Sequence, residues 1–160
     1  MRTIAAALIS VVAFGLALRA STQTTPPNDF ALYLETDCPA DTIDPKVGEF
    51  RRRVGLNEIV TAAVPLDPST RADLFRLVND ARLFEYPAKF NPPWTGGFSV
   101  PYPHYTIRVL SNGREHTIQW GAIRVPNEDA RRLNDFVGAV NRLYRALPPV
   151  RALPAALPCL

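Results

Sequence analysis

The sequence predicts an α+β fold: a two-layer sandwich in which a mostly antiparallel sheet of about five strands carries two amphipathic helices on one face. Three observations predict it. Short stretches that alternate apolar and polar side chains recur before residue 65 and again around the Asn-Gly pair at 112–113. Two stretches, after Asp67 and after Asn127, instead repeat apolar residues at helical spacing. The resulting order is three strands, a helix, a hairpin and a helix. It lacks the strand–helix alternation that marks parallel sheets.

The chain has 160 residues, enough for one ordinary domain. Residues 1–20 read as a secretory signal peptide. Met1-Arg2-Thr3 is a short basic start, Ile4 to Leu18 carries no charge, and Arg19-Ala20 follows. A bilayer-spanning helix needs roughly 20 apolar residues, so this run is short for an anchor. Export to the periplasm or the medium is therefore expected. Residues 21–28 (STQTTPPN) form a linker, residues 29–147 a single α+β domain, and residues 148–160 a proline-rich tail.

Within the domain, FALYLETDC sets Phe30, Leu32 and Leu34 against Ala31, Tyr33 and Glu35, as a half-buried strand requires. PADTIDPK reads as a loop bounded by Pro39 and Pro45. GEFRRRVG is a second strand, with Phe50, Arg52 and Val54 on one face and Arg51 and Arg53 on the other. The arginine run reads as a solvated edge strand, where charge deters further pairing. Glu58 to Val64 is a third strand after a turn at Leu56-Asn57.

Asp67-Pro68 opens the first helix. The aspartate accepts from free amides at the N-cap, and proline at the first position loses no hydrogen bond. Leu74, Leu77, Val78 and Ala81 form its stripe, which ends near Leu83-Phe84 ahead of Pro87. Asn127 caps the last helix, Glu128 and Asp129 favour its positive end, and Leu133, Phe136, Val137, Val140, Leu143, Tyr144 and Leu147 form the buried stripe. After it, prolines recur so often that an extended chain is expected.

The Asn112-Gly113 pair fixes a hairpin register, because a tight type I′ turn needs positive φ at both central residues. Counting outward pairs Val109 with His116, Ile107 with Ile118 and Tyr105 with Trp120. Tyr105, Ile107, Val109, His116, Ile118 and Trp120 then share one nearly apolar face. His104 falls on the opposite face from His116, so the two histidines cannot hold one metal or relay one proton.

No other catalytic pattern is present. The chain lacks a nucleophile elbow, a zinc-binding HExxH and a glycine-rich phosphate loop. Asp37, Asp41 and Asp44 form an acidic loop without calcium-loop spacing. The expectation is a protein without enzymatic activity, with no catalytic residue, no metal site and no cofactor. Loss of Arg2 and Arg19 with the signal lowers 18 basic residues to 16 against 15 acidic ones, a net charge of +1. With no basic stripe, nucleic acid is not an expected partner. Nor is a membrane, unless the N-terminal segment stays uncleaved.

Two features point to binding instead. NPPWTGGFSVPYP, Asn91 to Pro103, is a proline-stiffened loop carrying Trp94, Phe98 and Tyr102. It is either a partner-binding loop or an Ω-loop folded back on the domain. Cys38 and Cys159 are the two cysteines, and in an oxidising compartment they are expected to form a disulfide.

From about residue 47 to 147 the chain resembles the emfourin family of small bacterial proteins, inhibitors of thermolysin-type metallopeptidases such as protealysin. The resemblance lies in EFRRRV, LFRLVNDARLFEYPAKF and YTIRVLSNGREHTIQW, followed by the closing amphipathic helix. It implies an α+β fold and an extracellular or periplasmic peptidase as partner. The family's glycine-pair-Phe opening is reduced here to Gly48-Glu49-Phe50, and the signal, the first strand and the tail are additions. The expected function is an exported binding protein, in the form of a metallopeptidase inhibitor if the resemblance extends to activity. The alternative is a cell-envelope accessory or structural protein without inhibitory action.

Overall fold

The computed structural model describes residues 25–91, 103–121 and 127–158. Its strands are β1 (Ala31–Thr36), β2 (Asp41–Asp44), β3 (Glu49–Arg53), β4 (Ile59–Ala63), β5 (His104–Ser111) and β6 (Arg114–Gly121). They form one open antiparallel sheet in the order β4-β3-β2-β1-β5-β6. The fold class is the expected one, with one strand more. The addition is β2, in the stretch expected to be a loop. Pro39 and Pro45 flank these four residues rather than interrupt them, and β1 and β3 pair with them from both sides.

The register explains the two layers. Ala62, Phe50, Ile43, Leu34, Ile107 and Ile118 lie side by side across all six strands, and every one is buried. This row faces α1 (Pro68–Asp80) and α2 (Glu128–Ala146), which add Leu74, Phe75, Val78, Leu133, Phe136, Val137, Val140 and Tyr144 to the same core. At about 1.5–3 kcal/mol for each large apolar side chain removed from water, this row and its helical cover are the main source of stability. The opposite face carries Glu49, Arg51, Tyr33, Glu35 and Arg108 and is solvated.

The β5–β6 hairpin has the predicted register, including Val109 opposite His116 and Tyr105 opposite Trp120. Asn112 and Gly113 have φ of 53° and 72°. The Asp29 carboxylate clamps this turn from outside, accepting from the Asn112 N–H at 2.9 Å and from the Gly113 N–H. Those N–H groups hold the Asp29 carboxyl below its ordinary pKa, with Gly113 the largest cause.

Asp67 caps α1 by accepting from the backbone N–H of Ser69 and Thr70, and its carboxyl is held well below the usual carboxylate range, the Ser69 side chain being the largest cause. The helix ends at Asp80, earlier than expected. Arg82 takes a left-handed φ of 56°, and a 3₁₀ turn, Leu83–Glu85, follows. Arg71 reaches back to the carbonyls of Pro27, Asn28 and Phe30, so the described end of the linker is tied to α1. Asn127 caps α2 through the Ala130 N–H.

Two further expectations need correction. A short helix α3 (Pro148–Arg151) stands where extended chain was expected. Its prolines fill the first helical positions, where no intrahelical N–H is lost, and Val150 is buried in the core. The arginine run is not an edge strand either: β3 lies between β2 and β4. Arg51 and Arg53 are exposed, but Arg52 faces the helices and is only 8% exposed.

Candidate functional site

The strand directions gather several loops at one end of the sheet. Thr36, Asp41, Arg53, Ile59, His104 and Gly121 all end or begin their strands there. The same end carries the β3–β4 turn, the β1–β2 connection and both flanks of segment 92–102.

The β3–β4 turn is closed by the Val54 N–H, which donates to the Glu58 carbonyl at 3.0 Å. Leu56 at its tip is 82% exposed, and Ile59, where β4 begins, is 60% exposed. The register puts Ile59 on the outer face, away from the core. Two large apolar side chains therefore stand in water on a hairpin whose backbone is held by hydrogen bonds.

In the β1–β2 connection, the Asp37 carboxylate accepts from the His104 backbone N–H at 2.6 Å and meets His104 Nδ1 at 2.9 Å. The Asp37 N–H donates back to the His104 carbonyl at 3.3 Å. This exchange fixes the start of β5, directly after Pro103.

On the β6 side, the Phe90 N–H donates to the Gln119 carbonyl and the Gln119 N–H to the Ala88 carbonyl. Residues 88–90 thereby cover the edge of β6 with a short parallel bridge. A cleft of about 410 Å³ opens here, lined by Lys89, Asn91, His104, Tyr105, Gln119 and Trp120. The Tyr105 and Trp120 rings pack at 4.8 Å, and burial pushes the Tyr105 phenol up. Trp94, Phe98 and Tyr102 lie outside the described residues. Their flanks, Asn91 and Pro103, border this cleft and its strand. At about 4.8 Å per strand spacing, the Leu56 hairpin stands roughly 15–20 Å from these flanks across the sheet end.

The two histidines have separate structural partners on opposite faces. His116 stacks on Phe84 on the core side and donates from Nε2 to the Tyr86 carbonyl at 2.9 Å. The acidic loop is likewise dispersed. Asp37 holds His104, Asp41 turns inward to Arg52, and Asp44 accepts from the Lys46 N–H. Among the described residues no group of three His, Cys, Asp or Glu converges on a metal position.

An ion-pair cluster escaped the sequence reading. Asp41, 2% exposed, accepts from Arg52 Nε at 3.1 Å and Nη2 at 3.3 Å, and from Arg145 Nη2 at 3.3 Å. Arg52 also donates to the Pro154 carbonyl at 3.4 Å and lies over the Phe50 ring. The signal was present, since Arg52 shares the buried parity of Phe50. A charge on that face requires a carboxylate, but nothing in the spacing identifies which one. The tail lies beside this cluster. The Leu157 N–H donates to the Arg53 carbonyl at 2.8 Å, and Pro158 shares a cleft with Pro39. Cys38 is not a free thiol. Its expected partner, Cys159, lies outside the described residues.

In comparisons with known proteins, no family model matches this chain and no curated protein matches its sequence. Among the described residues no helix is long and apolar enough to cross a membrane. Residues 1–20, expected from the sequence to be a signal segment, lie outside them.

Proposed function

We propose that this chain is an exported, non-enzymatic binding protein whose partner is a thermolysin-type metallopeptidase. The observation that carries the binding role is the β3–β4 tip, with Leu56 at 82% and Ile59 at 60% exposure. An apolar side chain on a braced hairpin loses little further freedom when it enters a pocket. Burying one leucine against a partner contributes about 1.5–3 kcal/mol. The described flanks of the aromatic segment, Asn91 and Pro103, lie at the same end of the sheet, and its Trp94, Phe98 and Tyr102 are proposed to extend the contact. The choice of a peptidase rests on the emfourin-like motifs of the sequence.

The test is an inhibition panel of thermolysin-type peptidases with the mature protein and Leu56→Asp. Inhibition of at least one enzyme is expected, weakened about tenfold or more by L56D at an unchanged melting temperature. Inhibition that survives L56D moves the contact away from the hairpin. No inhibition across the panel replaces this reading with that of an envelope accessory or structural protein.

Export further supports a Cys38–Cys159 disulfide. The described tail ends beside Pro39, next in sequence to Cys38, which suits a covalent pin. Alkylation of the secreted protein without reduction, followed by mass spectrometry, should leave both cysteines unmodified. Two alkylated cysteines in the monomer would overturn the pairing.

A further inference from the structure

The Asp41 cluster borders a cleft of about 450 Å³ between β3, the end of α2, α3 and the tail. Arg52, Arg145 and Arg151 line it, together with Val150, Leu157 and Pro158. One carboxylate, Asp41, serves Arg52 and Arg145. Arg151 is exposed and has no ion pair among the described residues. No other acidic side chain among them lines the cleft. Among the described residues three guanidinium groups thus meet one carboxylate, which leaves two positive charges there without a counter-charge.

We propose that this cleft binds an organic carboxylate with an apolar body. Guanidinium presents paired donors that match the two oxygens of a carboxylate. Arg145 lines the cleft, is half-exposed and spends only one donor nitrogen on Asp41. Leu157 and Pro158 supply a hydrocarbon wall beside the charges. Inorganic phosphate would use the charges and waste the wall. The ligand has two natural sources, a fatty acid and the free C-terminus of an apolar peptide, which share this chemistry. The site is separate from the Leu56 hairpin and does not depend on a peptidase partner.

Calorimetric titration of the mature protein at low ionic strength tests the assignment. The probes are octanoate, N-acetyl-leucine, their neutral counterparts octanol and N-acetyl-leucinamide, and inorganic phosphate. One carboxylate is expected to saturate at one per chain, with its neutral counterpart about tenfold weaker or more. The tighter of the two carboxylates names the source. Arg151→Gln and Arg145→Gln should each weaken binding about three- to tenfold, since both groups are partly solvated. L56D should leave it unchanged. The assignment is overturned if neither carboxylate saturates in the millimolar range or if phosphate binds more tightly than both. Equal binding by R151Q, R145Q and the unmodified protein overturns it as well.

Discussion

Replacing Asp41 by alanine isolates the charge cluster at the loop-bearing end. Two charge-assisted bonds to Arg52, at 3.1 and 3.3 Å, disappear, and the arginine stays 8% exposed on the helix-facing side of β3. Breaking a buried pair from one side costs about 3–5 kcal/mol, because the remaining charge is left without a counterion. The lower end applies here, since Arg52 keeps the Pro154 carbonyl at 3.4 Å and the Phe50 ring at 5.1 Å. Arg145 adds little, because half of it is already in water. An expected loss of about 3 kcal/mol is a large part of the 5–15 kcal/mol typical of a domain. Urea unfolding measures it as a lower midpoint at constant slope. Adding Arg52→Met should recover most of the loss, because an apolar side chain of similar length removes the orphaned charge. A loss below about 1 kcal/mol for D41A, or a double variant no more stable than the single, would refute the reasoning.

Three smaller perturbations test other parts of the structure. Gly113→Val should cost about 1–2 kcal/mol in thermal unfolding: a Cβ there meets no neighbour, so the whole penalty comes from the φ of 72°. Tyr144→Phe should leave stability equal or higher by about 1 kcal/mol, because the buried hydroxyl has no hydrogen-bond partner among the described residues and burial pushes its phenol up. A loss above about 1 kcal/mol in urea unfolding would reveal a partner. Asp29 ties stability to pH. Its folded pKa is lowered, chiefly by the Gly113 N–H, so its contribution is complete above about pH 4 and fades as pH falls through the lowered value. Melting temperatures from pH 6 to pH 2 should show a shallower acid limb for Asp29→Asn. Part of the slope will remain, because Asp67 loses its cap in the same window. An identical limb in D29N would exclude the clamp.

Much of the fold is local and was therefore legible. Asn112-Gly113 fixes a turn from the φ preference of two adjacent residues, and the parity of the flanking side chains then sets the whole hairpin register. Asp67-Pro68 and Asn127 mark helix starts by satisfying amides within three residues. The opposite faces of His104 and His116 follow from the same register. The α1 end was less legible, because the left-handed φ of Arg82 has no signature in a charged residue type.

What the sequence by itself determined is the place of the strongly patterned elements, β1, β3, the β5–β6 hairpin and the two long helices: helix or strand, inward or outward. Only the tertiary structure decided which elements meet. The four residues of β2 have too few contacts of their own to be a strand, and they become one because β1 and β3 supply partners on both sides. Arg52 shares the inward parity of Phe50, but its counterion is known only once Asp41, eleven positions away, is placed beside it and Arg145 arrives from α2. The strand order brings Leu56 to the same end of the sheet as Asn91 and Pro103, the described flanks of segment 92–102. The physical reason is range. Backbone preferences and side-chain parity act over a few residues, whereas ion pairing and strand order depend on chain closures over tens of residues that the sequence pattern does not encode.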